Sequence, residues 1–261
     1  MGAKICACVK IVPRAAVPMR MDGTTFRLDR TGASELNPPD LFTVEAAVQL
    51  RERIGGELVI VTMAPEEHLE SLRGALAMGV DRAVAVTDPA IVGSDLLGTS
   101  RILAAALAHE GPDVIVFGSV SADGGGAQLG AAVGERMRLP VMSGVRSVEI
   151  AGDRVRGNRQ SAHAEVILEA TMPCVIGLGG SANVPRYPTF RDIVAAKKKP
   201  IDRWSLADLG IDPATVGSAG SRAVASGVGP PPPRRAAGEI VRDEGAGAAW
   251  LFNWIHSRGL A

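Results

Sequence analysis

Polar and apolar positions along the chain follow two periods. The runs KICACVKIV (4–12), ELVIVTM (57–63), RAVAVTD (82–88) and DVIVFG (113–118) are short, apolar and rich in β-branched residues, as buried strands are. Between them, apolar residues recur at three- and four-residue spacing over 35–56, 66–80, 94–111 and 126–139, which predicts helices. Ser94-Asp95 and Gly111 supply start and stop signals for the third. An excursion at 18–30, centred on DGTT, predicts a hairpin turn. After Pro140 the runs shorten: 146–170 alternates around AGD and GN turns, which suits antiparallel strands. TMPCVIGLGG (171–180) again reads as a buried strand entering a loop.

Strands separated by helices are βαβ units, so the expected fold class is α/β. It is a Rossmann-like, open, mainly parallel sheet with helices on both faces and an added antiparallel segment. This domain is expected over 1–212. From 213 to 261 the composition turns to Gly, Ala, Ser and Pro, including PPPPRR (230–235), which predicts an extended C-terminal arm. The arm ends in GAAWLFNWIHSRGL (247–260), a short amphipathic helix that docks on its own domain or on a partner; the length of the arm favours a partner.

Composition narrows the function. Hydrophobic residues make up 46% of the chain but aromatics only 3%, so the core is built from Ala, Val, Leu and Ile. Lys+Arg and Asp+Glu are both 28, which gives no global signal for nucleic acid or an anionic membrane. An apolar run of about 18 residues is absent, as is a leader pattern, so a cytoplasmic protein without membrane insertion is expected. Cys6 and Cys8 share a strand face, but a metal site needs about four ligands and the four histidines have no matching spacing. They read as core thiols, and no metal is expected. KKKP (197–200) reads as a solvated patch.

Ligands of open α/β sheets sit at the carboxyl ends of the strands. Four segments converge there: Cys8–Lys10, Asn37–Asp40, Met63–Pro65 and GSVSADGGGAQLG (118–130). Gly124, Gly125 and Gly126 allow backbone N–H groups to approach an anion beside a helix N-terminus. Asp123 is a candidate cap for that helix and Gln128 a candidate donor. Taken alone, the loop reads more readily as a ligand-free turn than as a binding site. The chain has no G-x-S-x-G elbow and no H-E-x-x-H, so no catalytic residue is assigned. A nucleotide-shaped fold without catalytic groups suggests a carrier or sensor whose chemistry belongs to a cofactor.

Several segments carry a family resemblance: residues 44–86, above all ALAMG-DR (75–82), then CVK (8–10), LNPPD (36–40), VPRYPTFRDIVAAKKKPID (184–202), SLADLGID (205–212) and PPPPRRAAGEI (230–240). Together they resemble the electron transfer flavoprotein β-subunit family over essentially the whole chain. The resemblance implies a heterodimer with an α subunit that carries the redox FAD. It implies electron flow from a flavin dehydrogenase, or NADH, to an acceptor such as a quinone reductase. In simple carriers the β subunit holds AMP; in the electron-bifurcating branch it holds a second FAD. Carried over by position, the nucleotide contacts fall on Cys8, Asn37, Met63, Gly118, Asp123, Gly124, Gly125, Gly126, Ala127, Gln128 and Gly130. D-G-G-G-A-Q-L-G (123–130) departs from the AMP-type pattern D-D-D-C-N-Q-T-G. It is similar to the D-G-D-T-A-Q-V-G of the bifurcating branch except for glycines at the third and fourth places, so FAD is favoured and AMP is the alternative.

The family's partner-recognition loop maps to Ala182, Asn183, Pro185, Arg186 and Tyr187. Ala182 stands where simple carriers place a leucine, which implies a partner other than an acyl-CoA dehydrogenase docked in the usual way. The rival reading is a homodimeric ATP- or AMP-binding sensor similar to universal stress proteins. The long Pro-rich arm argues against it.

Overall fold

The computed structural model describes residues 2–16, 18–180, 182–229 and 240–260; the Pro run at 230–235 lies outside them. In chain order the first half comprises β1 (Ala3–Cys8), β2 (Ile11–Pro13), β3 (Ser34–Leu36), α1 (Asp40–Ile54), β4 (Gly56–Met63), α2 (Arg73–Ala77), β5 (Arg82–Val86), α3 (Leu96–Glu110), β6 (Val114–Phe117) and α4 (Leu129–Met137). The second half comprises β7 (Val141–Val145), β8 (Ser147–Ala151), β9 (Arg154–Gln160), β10 (Glu165–Thr171), β11 (Cys174–Leu178), α5 (Phe190–Ala196), β12 (Ile201–Trp204), α6 (Gly217–Gly220) and α7 (Gly247–Ser257).

Seven strands form one parallel sheet in the order β12-β5-β4-β1-β6-β11-β7. Successive strand residues point to opposite faces, and both faces are covered. Ile5, Ala7, Leu58, Ile60 and Val116 pack with Val44 and Val48 of α1 and Leu76 of α2. Cys6, Cys8, Val59, Val61 and Ile115 pack with Ile102 and Leu107 of α3 and Val133 of α4. This two-sided burial explains the continuous apolar runs. β8, β9 and β10 form a separate antiparallel sheet, and β2 pairs antiparallel with β3.

Three local differences from the sequence reading have physical causes. The run 4–12 breaks after Cys8, because Ile11–Pro13 leaves the parallel sheet to pair with β3. The stretch 66–80 is a 3₁₀ helix over Glu66–Leu72 before α2. Its buried Leu69 and Leu72 are three apart, which places them on one face at three residues per turn. Within KKKP, Lys199 turns inward and donates to the carbonyls of Leu76 (3.0 Å) and Val80 (2.6 Å). Arg73 reciprocates onto the carbonyls of Ala196 (3.0 Å) and Lys199 (2.7 Å), so α2 and α5 cap one another.

The amino ends of the strands are tied by charge. Arg82 meets Glu57 (2.7 Å), Glu110 (2.6 Å) and Asp202 (3.4 Å), and Lys4 adds a contact to Glu110 (3.3 Å). The chain divides into two units, Met1–Ser226 and Gly227–Ala261. Residues after 212 therefore begin as part of the first unit. Val216 is fully buried, Gly217 N donates to Ser94 Oγ, and Asp95 caps α3 while accepting from the N–H groups of Arg222 and Ala223. In the second unit α7 stacks Trp250 on Trp254 at 6.3 Å, with the Arg258 guanidinium 4.3 Å from the Trp254 ring centre.

Candidate functional site

The strand order reverses between β1 and β6: connections from β1 build outward through β4 and β5, while β6, β11 and β7 lie on its other side. A crevice at such a switch point, outside the strand carboxyl ends, is where doubly wound sheets hold ligands. The loop after β6, 118–128, lies there. Its geometry is set by Asn37, whose side chain donates to Val120 O (3.0 Å) and accepts from Ala122 N–H (2.9 Å). Asn37 is 1% exposed, and its own N–H donates to Lys10 O, so one residue joins the loops after β1 and β6.

Asp123 accepts from Lys10 Nζ at 2.6 Å and from Arg30 Nε at 2.8 Å. Burial pushes its carboxyl up, but the Lys10 bond and charge, followed by those of Arg30, outweigh burial and hold it below the ordinary carboxylate value. With both oxygens occupied, Asp123 does not cap α4. The N-cap residue is Gln128, without a side-chain cap bond, so the helix presents its N-terminal dipole unscreened. Gly124, Gly125, Gly126, Ala127 and Gln128 are exposed, and a Cβ on Gly125 or Gly126 would meet nothing within 4 Å. Ala127 is held at φ 52°, a left-handed conformation that costs a non-glycine residue about 1–2 kcal/mol. Strain of this kind collects at binding loops.

Asp40 opens α1 behind this loop, 5% exposed, and accepts from Lys10 N–H at 2.7 Å. Burial pushes its carboxyl up to about 6, with the Lys10 and Asn37 hydrogen bonds opposing. The buried hydroxyl of Thr43 has no partner among the described residues, and it borders a cavity of about 290 Å³ with Pro39, Phe42, Gly118 and Ser119. Gly118 is required there: an added Cβ would lie 2.4 Å from Asp40 Oδ1 and 2.8 Å from Thr43 Oγ1. Gly130 lets α4 approach β6, since its Cβ would meet Phe117 at 3.1 Å. Cys8 ends β1, and burial drives its thiol well up, as it drives Cys6 to about 12; neither is a thiolate at neutral pH. Met63 ends β4, on the far side of β1 from the loop.

The second predicted cluster is clasped to α1. Asn183 Nδ2 donates to Phe42 O (2.9 Å), and Arg186 pairs with Glu45 (2.8 Å) and Glu52 (2.6 Å). Ala182 packs half-buried against the core and Pro185 is half-buried. The side chains that project are Val184, 85% exposed, and Tyr187, 96% exposed, beside an apolar groove of about 990 Å³ that includes Leu36, Leu41 and Met78.

The family model of the electron transfer flavoprotein domain matches residues 25–209. The chain is 36% identical over 260 residues to the electron transfer flavoprotein subunit beta of Mycobacterium tuberculosis, covering 96% of this chain and 97% of the relative. The chain belongs to the electron transfer flavoprotein β-subunit family. Protein FixA of Bradyrhizobium diazoefficiens is 36% identical over 258 residues, covering 95% of this chain and 89% of the relative. The M. leprae β subunit is 34% identical over 260 residues. Proteins of this family serve electron transfer rather than classical catalysis, the flavoprotein complex contains FAD, and a β subunit implies an α-subunit partner. Among the described residues no helix is long and apolar enough to cross a membrane.

For an electron transfer flavoprotein β subunit, the predicted residues fall unevenly. Cys8, Asn37, Gly118, Asp123 and the glycines gather around the β1–β6 crevice, while Met63 lies at its margin. Lys10, Arg30, Asp40 and Thr43 complete the crevice; the sequence places Lys10 and Asp40 in convergent segments without giving them a role, and does not single out Arg30 or Thr43. Lys10 carried a signal, because it stands two residues after β1 in CVK. Arg30 carried none, because its partner is 93 positions away.

Proposed function

We propose that this chain is the nucleotide-carrying β subunit of a heterodimeric electron transfer flavoprotein, with FAD at the 118–130 loop and AMP as the alternative occupant. The observation that carries this reading is the loop itself, pinned by Asn37 and presenting exposed glycines and the uncapped N-terminus of α4. Such an arrangement suits a phosphate: backbone N–H groups and the helix dipole supply donors, and Lys10, 3.5 Å from a Cβ placed on Gly124, supplies a cation. Gly124, Gly125, Gly126, Ala127 and Gln128 hold the phosphates, while Asn37 and Asp123 fix the loop. Cys8, Gly118, Thr43 and Met63 shape the surrounding wall. A bound flavin supplies the redox chemistry; the chain's own groups bind, orient and shield it. With its thiols buried and protonated, the chain contributes no redox cysteine.

Electrons arrive from a flavin dehydrogenase or NADH and leave to a quinone reductase or similar acceptor, in the cytoplasm. Val184 and Tyr187 form the docking surface for the redox partner, with Asn183, Pro185 and Arg186 as its frame and Ala182 as its anchor to the core. The test is a count of nucleotides released from the purified heterodimer, identified by mass spectrometry. Two FAD per heterodimer support FAD in this subunit. One FAD with one AMP supports the simple carrier. A colourless homodimer that binds ATP overturns both and supports the sensor.

A further inference from the structure

Residues 18–30 lie outside both helical layers and hold themselves together. The Asp22 carboxylate accepts from the N–H groups of Thr24 (3.0 Å) and Thr25 (2.6 Å), and Asp22 N–H donates to Arg27 O (2.8 Å). Met21 and Leu28 form an antiparallel bridge, and Phe26 takes a left-handed φ of 53° at the turn. This hairpin reaches the body through two arginines. Arg30 donates to Asp123 at 2.8 Å, in the loop after β6. Arg27 donates to Ser218 Oγ at 3.1 Å and lies against Gly93, in the loop after β5. The sheet order β5-β4-β1-β6 puts these anchors on opposite flanks of the carboxyl ends of β4 and β1. A hairpin fixed at both flanks runs across the mouth of the crevice. Apart from these anchors it is lightly held: Met19 is 59% exposed and Met21 47%.

We infer that the 18–30 hairpin is a strap across the mouth of the 118–130 site, latched by Arg30–Asp123 and Arg27–Ser218, which gates nucleotide exchange. The inference rests on the nucleotide-binding reading above. The Arg27–Ser218 latch lies away from the glycine loop, so releasing it changes passage into the crevice more than the strength with which the loop holds an anion.

The full heterodimer tests it with Arg27→Ala, a change outside the glycine loop. Association and dissociation of radiolabelled AMP and of FAD are followed by chase, with amide hydrogen exchange in residues 18–30 as a second readout. A gate gives one signature: both rates rise about three- to tenfold while the equilibrium constant moves much less. A rise in dissociation alone, or no change in either rate, overturns the gate. The exchange readout needs no ligand. Faster exchange at Phe26 and Asp29 in Arg27→Ala and Arg30→Ala supports the latch, and unchanged protection in both variants overturns it. A wild-type complex that releases no nucleotide on denaturation overturns the nucleotide reading, while the hydrogen-exchange comparison still decides the latch.

Discussion

Arg186 grips both carboxylate oxygens of Glu45, Nε to Oε2 at 2.8 Å and one terminal nitrogen to Oε1 at 3.1 Å. Glu45 is 3% exposed, so its charge is tolerable only while paired. Arg186→Ala is expected to cost about 2–3 kcal/mol, below the fully buried limit because the arginine side chain is partly exposed. Arg186→Lys recovers part of this, since an ammonium cannot fork onto both oxygens. Urea unfolding of the heterodimer reads the cost. Faster chymotryptic cleavage after Phe190, which is 81% exposed at the end of this loop, reads the freed segment in the alanine variant.

The paired hydrogen bonds of Asn37 to Val120 O and Ala122 N–H predict a linked loss of stability and ligand. Asn37→Ala removes two part-buried hydrogen bonds to the loop, at about 1–2 kcal/mol. Nucleotide released per heterodimer, measured by chromatography, is expected to fall in parallel. Full occupancy in this variant contradicts the role given to the loop.

Gly118→Ala tests steric closure behind the same loop. The new methyl group has no room between Asp40 Oδ1 and Thr43 Oγ1, so α1 or the end of β6 must shift. Overpacking of this kind costs about 1–3 kcal/mol. Gly126→Ala, where the added carbon meets open space, is expected to leave stability within about 0.5 kcal/mol. Thermal unfolding of the two variants side by side makes the comparison.

Acid and neutral pH act on different carboxylates. Burial raises the Asp40 carboxyl from 3.8 to about 6 in the folded state. Its protonated form therefore stabilises the fold in full below about pH 4, and this contribution is lost as pH rises through about 6. Asp123 and Glu45 are shifted down, so they stabilise the fold above the ordinary carboxylate range and lose that as pH falls through their lowered values. Asp40→Asn keeps an acceptor for Lys10 N–H and removes the buried charge. It is expected to gain about 1–2 kcal/mol over wild type at pH 7.5, with the gain shrinking toward pH 4.5. Urea midpoints at the two pH values decide it; a gain independent of pH contradicts the assignment.

Legibility in the sequence followed burial. β1, β4, β5, β6 and β11 were readable because both faces are covered, which leaves continuous Val and Ile runs. β7 and β12 were not read, because they are sheet edges carrying Ser143, Gly144, Asp202 and Arg203 among few apolar residues. At the site, Asn37 and the glycine loop were legible from local motifs. The partners that fix them were not: nothing near Arg30 announces Asp123, and nothing near Arg186 announces Glu45, 141 residues earlier. Ion pairs between distant segments are products of topology and leave no period in the chain. The inward turn of Lys199 was hidden for a related reason, because three consecutive lysines look alike until α2 and α5 meet.

The Arg82 cluster joins the starts of β1, β4, β5 and β12 to the last residue of α3. It thus clasps one end of the sheet. At the opposite end the ties run between loops, Asn37 to the backbone of 120–122 and Asp123 to Lys10 and Arg30, so each end of the sheet carries its own clasp. Because both clasps contain partly exposed ion pairs, raising salt weakens the two ends of the sheet before it weakens the apolar layers between them.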